Sequence, residues 1–261
     1  MQKIGGVAFQ IGGIDAAGKG TGINGLKDHL INRGYRIFDV REYQQEHNRH
    51  PTPDDWKGYD VLITAEPPWE DLGRYVRHEL IAKENAGKYT PRQVALGYSD
   101  SRLSQNRRVI YPALRQNKIV LEERGVKSST VYQPTQDYFW RLTHSDSKLV
   151  LDEILAMKGN QEALSMLPDA ACIPLVPAEE TIRRIDGRAD KKDNAIFETY
   201  SFQQVIEQIY RLPAFHDFFS MRGVQVITFD ATTSKEDTVE KTIRAFESFM
   251  ESRSRPIRKR K

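Results

Sequence analysis

The sequence predicts an α/β protein with a mostly parallel central sheet covered by helices on both faces. Three observations carry this. Short apolar runs, among them Val7–Ile11, Val61–Thr64, Lys118–Leu121 and Val224–Phe229, alternate with segments whose apolar residues recur at helical spacing. That alternation is the pattern of parallel strands joined by crossover helices. The first run leads into a glycine-rich turn, Gly12-Gly-Ile-Asp-Ala-Ala-Gly-Lys-Gly-Thr21, and then into a helical stripe of Ile23, Leu26, Leu30 and Ile31. Finally, the 261 residues are 39% hydrophobic, enough for one sizeable core.

Taken in order, the strand at Val7 is followed by a helix with Gly34 as its stop, and Tyr35–Val40 reads as a second strand. Residues 41–58 are polar and contain Pro51 and Pro53, which predicts a loop or an insertion. His47 and His50 lie there without helical periodicity or a nearby acid of obvious role, and are not read as a metal site. Val61–Thr64 ends in Ala65-Glu66-Pro67-Pro68, after which Leu72, Tyr75, Val76 and Leu80 form a helical stripe. Thr90-Pro91-Arg92-Gln93 is a helix start, with Thr as cap, Pro in the first turn and Gln three residues after the cap. The helix is expected to reach Gln116, with a kink at Pro112.

Lys118–Leu121 is a buried strand running into Glu122-Glu123-Arg124, and Leu149, Leu151 and Leu155 mark a later helix. Ala170–Val176 reads as a strand, with Pro174 arguing for irregular or edge pairing. Residues 178–200 are densely charged; Val224–Phe229 is the last strand, and Val239, Ile243 and Phe246 mark the last helix. Ligands of such sheets bind at the carboxyl ends of the strands, which puts the Gly13 loop and the turns at Glu66 and Glu123 on one rim.

Residues 1–252 are read as one domain and 253–261 as a basic, disordered tail, for which weak polyanion binding is the sharper alternative. The tail holds six basic groups and no acid, so the net charge of +3 becomes −3 without it. No apolar run approaches the ~20 residues of a membrane span, and no signal-peptide pattern opens the chain. The single cysteine, Cys172, excludes an internal disulfide and a multi-thiolate zinc site and fits a reducing cytoplasm.

Two stretches carry chemistry. In Gly13-x-x-x-x-Gly18-Lys19, backbone N–H groups and the positive end of the following helix converge on phosphate oxygens, and Lys19 adds a charge for the outer phosphates. Gly20 stands where Ser or Thr would reach magnesium, with Thr21 next. In the second stretch, Glu123 and Arg124 at a strand end suit phosphoryl transfer, the acid for magnesium and the arginine for phosphate. Ser128, Ser129 and Gln133 offer neutral hydrogen bonds to a base or sugar.

Arg124, Ser128, Ser129, Tyr132 and Gln133 resemble the D-R-Y-x-x-S-S-x-A-Y-Q motif of thymidylate kinases, with Glu123 for Asp and Gly125 for Tyr. Gly13-Ile14-Asp15 with Gly18-Lys19 is similar to that family's G-x-D-x-x-G-K loop. Thr64-Ala65-Glu66-Pro67 resembles its T-R-E-P turn, Ala65 replacing Arg and Pro68 replacing Gly. Tyr98–Leu114 resembles its F-A-A-D-R … V-I-x-P-A-L helix, and Pro177–Arg184 the entry to its lid. Asp193 and Glu198 correspond to the D-R-x-E lid segment at a spacing longer by two. The Gly-Lys-Gly-Thr ending is that of adenylate kinases, which places Thr21 near the phosphates.

The resemblance implies a P-loop kinase three-layer fold with a charged lid at about 178–200. It implies ATP as phosphoryl donor, Mg2+ as cofactor and a deoxypyrimidine monophosphate, dTMP above all, as acceptor. Gly13, Ala16, Ala17, Gly18, Lys19, Gly20, Thr21 and Arg184 would hold ATP. Asp15 would orient the acceptor phosphate or the metal, and Arg124 would bridge the donor and acceptor phosphates. Tyr98 would stack on the base, and Arg102 and Ser129 would read its edge. Tyr132 would close the space beneath the sugar, while Glu66, Ser128 and Gln133 complete the substrate site and Glu123, Asp15 and Glu198 the metal site. With alanines at 16 and 17, the cation for the transferring group falls to Arg183, Arg184, Arg188, Lys191 or Lys192, of which Arg188 is favoured.

Two other readings stay open. Asp15-Ala16-Ala17-Gly18-Lys19-Gly20 is similar to the loop of nucleotide-phosphorylating polyphosphate kinases, although no R-S-W-Y-like segment follows the Glu123 strand. The substitutions at Gly20, Ala65, Pro68 and Glu123 keep a non-catalytic nucleotide-binding protein in view. A homodimer is left open.

Overall fold

The computed structural model describes residues 5–144, 148–187 and 195–254. Six strands form one sheet: β1 Val7–Ile11, β2 Ile37–Asp39, β3 Val61–Ala65, β4 Ile119–Glu123, β5 Ala170–Leu175 and β6 Gln225–Asp230. All pairings are parallel, in the order β2-β3-β4-β1-β5-β6. The helices are α1 Lys19–Asn32, α2 Val40–His47, α3 Asp71–Tyr75, α4 Pro91–Gln105, α5 Tyr111–Arg115, α6 Val126–Trp140, α7 Leu151–Ala156, α8 Lys158–Ser165, α9 Ala178–Asp186, α10 Tyr200–Arg211, α11 Pro213–Ser220 and α12 Lys235–Ser254.

Alternation along the strands decides which layer each residue joins. Phe9, Ile11, Val61, Ile63 and Leu121 face α1 and α12, where Ile23, Leu26, Phe246 and Phe249 close one core. Phe9 meets Phe246 edge-on, with centroids 5.3 Å apart. Leu62 and Val120 point the other way, onto Trp56, Val109, Tyr111 and Leu114.

The polar stretch after β2 is not loop throughout, because residues 40–47 form α2. Asp39 caps it, its carboxylate accepting from the Arg41 N–H at 3.1 Å. Only Val40 and Gln44 of this helix are buried, so it has no apolar stripe to betray it. His47 is exposed, whereas His50 is buried against Gln44, which it meets at 3.0 Å.

The stripe at Leu72 is only half right: Val76 and Leu80 are buried, but Leu72 and Tyr75 are exposed. A π-helical turn at Val76–Leu80 follows α3 and rotates the chain. The capping box at Thr90 and Gln93 opens α4 as expected. Instead of a simple kink, a second π turn at Asn106–Ile110 precedes Pro112, and such a wide turn accommodates the N–H that proline lacks.

Pro174 lies in β5, an interior strand, yet β5 pairs with β1 only as far as Cys172. Pro174 therefore stands past the end of β1, paired with Phe229 of β6 alone. Beyond the Leu149 run, it is Ile154 that faces the core, not Leu151.

Candidate active site

The loop after β1 and the turns after β3 and β4 share the carboxyl rim and enclose a cavity of about 1230 Å³. Of the described residues expected at the site, all but Gly13 and Ala17 line it. Ala17 is fully buried, and Gly13 takes φ 117° where an added Cβ would stand 3.1 Å from the Pro174 carbonyl. Lys19 opens α1 but is only 4% exposed and turns back on its own loop, donating to the Ile14 carbonyl at 2.5 Å. Its charge lies within the loop.

Asp15 and Arg124 form an ion pair across the strand ends. Arg124 has φ 76°, uncommon for a residue with a side chain, and is held there by its N–H donating to the Ile11 carbonyl at 2.8 Å. Burial works against the Asp15 carboxylate, but the charges of Arg124 and Lys19 outweigh it and hold Asp15 below the usual carboxylate range. Gln203 of α10 completes the grip, donating to Asp15 Oδ2 at 2.8 Å and accepting from its N–H at 3.3 Å. No motif in the sequence marked Gln203.

Arg124 lies over the Tyr132 ring at 5.3 Å. The next residue, Gly125, takes φ 115°, and a Cβ there would come within 1.8 Å of Gln10 Nε2. Gln10 in turn donates to Glu122 at 2.5 Å. Where the resembling motif has Tyr, this chain has no room for one.

Behind the β3 turn, Arg102 is 1% exposed and almost fully committed. Its Nε and Nη2 bind Glu66, Nη2 also donates to Ser129 Oγ at 2.8 Å, and Nη1 donates to Asn160. The family expectation gave this arginine to the base; the structure gives most of it to Glu66. Asn160 of α8 was not anticipated. Tyr98 is half-buried, and burial pushes its phenol up to about 12, so it stays neutral. Gln133 Oε1 is buried without a hydrogen-bond partner among the described residues.

Glu123 sits beside the loop, its Oε2 3.7 Å from where a Cβ on Gly20 would be. Thr21 and Glu198 also line the cavity. Among the described residues no three acidic, histidine or cysteine groups converge as a metal-binding cluster. Asp15 is engaged by Arg124 and Gln203, so the expected Glu123–Asp15–Glu198 set is not assembled; Glu123 is the acid that stands at the loop.

On the lid side, Arg184 donates to the carbonyls of Ala16 at 3.3 Å and Ala231 at 2.7 Å, and to Glu180 at 2.6 Å. Arg183, largely exposed, also pairs with Glu180, and these hydrogen bonds take the Glu180 carboxyl down to about 2. Arg188, Lys191, Lys192 and Asp193 lie outside the described residues. Arg41, Arg77 and Trp69 are among the cavity residues that had no place in the motifs. Arg77 stacks over the Trp69 ring at 3.9 Å. Arg41 was hidden by reading its segment as loop.

The comparisons with known proteins point one way. A sequence model of the family described as thymidylate kinase matches residues 55–242. A thymidylate kinase of Bartonella henselae is 29% identical over 184 residues, covering 70% of this chain and 78% of its own. One of Caldanaerobacter subterraneus is 29% identical over 198 residues, covering 76% of each, and one of Mycoplasmopsis pulmonis is 27% identical over 197, covering 73% and 77%. No helix among the described residues is long and apolar enough to cross a membrane. With a parallel sheet, a phosphate loop after its central strand and a family match across most of its length, the chain belongs to the thymidylate kinase family.

Proposed function

We propose that this nucleoside monophosphate kinase transfers the terminal phosphoryl group of ATP to a deoxypyrimidine monophosphate, dTMP above all. The observation that carries this is the Asp15–Arg124 pair. It ties the phosphate loop to the serine–tyrosine–glutamine motif of α6, so one guanidinium stands between the half of the cavity suited to the donor and the half suited to the acceptor. Phosphoryl transfer depends mostly on positioning and charge stabilisation, and a guanidinium between two phosphates supplies both.

Magnesium, when bound, would neutralise phosphate charge. Glu123, with the Thr21 hydroxyl, would hold it, in keeping with an ion that takes one or two carboxylates plus phosphates and water. The loop N–H groups and Arg184 would hold ATP. In the base pocket, one N–H of Arg102 Nη1 is unused by any hydrogen bond among the described residues. Being a donor, it favours the 4-carbonyl of thymine or uracil over the amino group of cytosine. Tyr132 below would favour deoxyribose. The nucleotide kinase domain is taken as residues 1–252, in the cytoplasm.

Steady-state kinetics with ATP and a panel of dTMP, dUMP, dCMP and dAMP tests the reading, which expects dTMP first and dUMP second. Equal kcat/KM across the panel would remove thymidylate specificity. Turnover with polyphosphate and not with ATP would replace the donor.

A further inference from the structure

Arg41 is a cavity residue that the family motifs do not account for, and it is built as a ligand. Its Nε donates to Asp39 Oδ1 at 2.9 Å, and its Nη2 to Asp39 Oδ2 at 2.8 Å and to Asn24 Oδ1 at 3.0 Å. Those bonds fix the plane of the guanidinium and leave Nη1 without a hydrogen-bond partner among the described residues. The side chain is 15% exposed, and the residue lines the cavity.

Its place in the sheet says which part of the cavity it serves. Asp39 of β2 pairs with Ile63 of β3, and two residues beyond these stand Arg41 and Ala65. Arg41 therefore reaches the rim beside the turn where the resembling motif has arginine and this chain has alanine. That is the Glu66–Arg102 side of the phosphate loop; the Thr232–Lys235 segment lines the opposite side, beyond β6. Two other cavity cations are committed elsewhere: Arg102 to Glu66, Ser129 and Asn160, and Arg184 to Glu180, Ala16 and Ala231. Asp39 also binds Lys27 at 3.0 Å, so it is shared between two cations, and the charges of Glu123 and Glu42 also act on Arg41.

We propose that Arg41, carried by the capped helix α2, binds the phosphate of the acceptor nucleotide and supplies the cation that Ala65 lacks. This rests on the nucleoside monophosphate kinase reading. A guanidinium already held by a carboxylate and an amide loses little freedom on binding a phosphate, which is why the site suits a recognition role.

The test is calorimetric titration of the full chain with dTMP and, separately, with thymidine, in magnesium-free buffer. Arg41→Ala should weaken dTMP binding by ~10- to 100-fold, the range of a charged hydrogen bond lost, and leave thymidine binding unchanged. Arg41→Lys should fall between, and keeps the test open if the alanine variant misfolds. Unchanged dTMP affinity in the alanine variant overturns the assignment, as it would if Arg41 served only to neutralise Glu123 for the metal. An equal loss for thymidine also overturns it, because the pocket and not the phosphate contact would then have changed. Wild-type protein that binds and phosphorylates no nucleoside monophosphate refutes the kinase reading itself, and the inference with it.

Discussion

Arg102 and Glu66 meet in a two-pronged ion pair, Nε to Oε1 at 2.8 Å and Nη2 to Oε2 at 2.6 Å, with side-chain exposures of 1% and 3%. A pair this deep is costly to break from one side, since the survivor is left charged and without water. Arg102→Ala should destabilise the fold by ~3–5 kcal/mol and lower activity on dTMP together with it. Combining Glu66→Met with Arg102→Met should restore part of the stability and none of the activity. Urea unfolding of the single and double variants checks both, and an alanine variant with a wild-type midpoint would refute the structural role.

Lys19 is expected to matter to turnover far more than to folding. The hydrogen bond it donates to the Ile14 carbonyl is a modest loss, ~1 kcal/mol. Removing a charge from the phosphate site should cost ~10²–10³ or more in kcat. Initial rates and thermal melts of Lys19→Ala separate the two, and wild-type turnover would argue against kinase activity through this loop.

Arg184 and Arg188 should fail in different ways. Arg184 is tied to the loop through Ala16 and to Ala231, so its replacement by Ala should raise the KM for ATP more than it lowers kcat. Arg188→Ala should slow the chemical step by ~10³, by analogy with arginine fingers. Single-turnover quench experiments read the chemical step directly. A slowed step in the Arg184 variant alone would reverse the two roles.

Burial, reinforced by the charge of Glu66, raises the Glu122 carboxyl to about 8. In the unfolded chain it titrates near ~4.3. A carboxyl raised by folding contributes stability that is full below the unfolded value and is lost as pH rises through the folded one. Wild-type protein should therefore lose stability relative to Glu122→Gln between about pH 5 and pH 8. Lys127, pushed down to about 7 by burial, faces the same cluster, and its titration overlaps the upper end of that range. Urea midpoints of the two proteins across this interval give the difference; parallel profiles would mean Glu122 does not titrate there.

The strand–loop–helix unit and the rim of three turns were legible in the sequence because each rests on local signals: apolar runs, glycine spacing and a capping box. What was not legible depends on tertiary context. α2 is a polar helix with two buried residues, so its periodicity is silent, and Arg41 was lost with it. Gln203 reaches Asp15 from a helix 188 positions away in sequence. Arg102 was recognisable as a site residue, yet only the fold shows that Glu66 and Asn160 take up most of its donors.

The contact between position 125 and Gln10 has a consequence for how this sequence can vary. A Cβ at 125 would fall 1.8 Å from Gln10 Nε2, so a side chain there and a long one at position 10 exclude each other. Gln10 lies on β1 and Gly125 in the turn just past the end of the neighbouring β4, 115 positions apart in sequence, and neither can drift alone. A change from Gly125 toward tyrosine is open only after position 10 has shortened, and shortening Gln10 first strips Glu122 of its amide donor. The order of substitutions is thus constrained, and in an alignment of near relatives these two columns should change together.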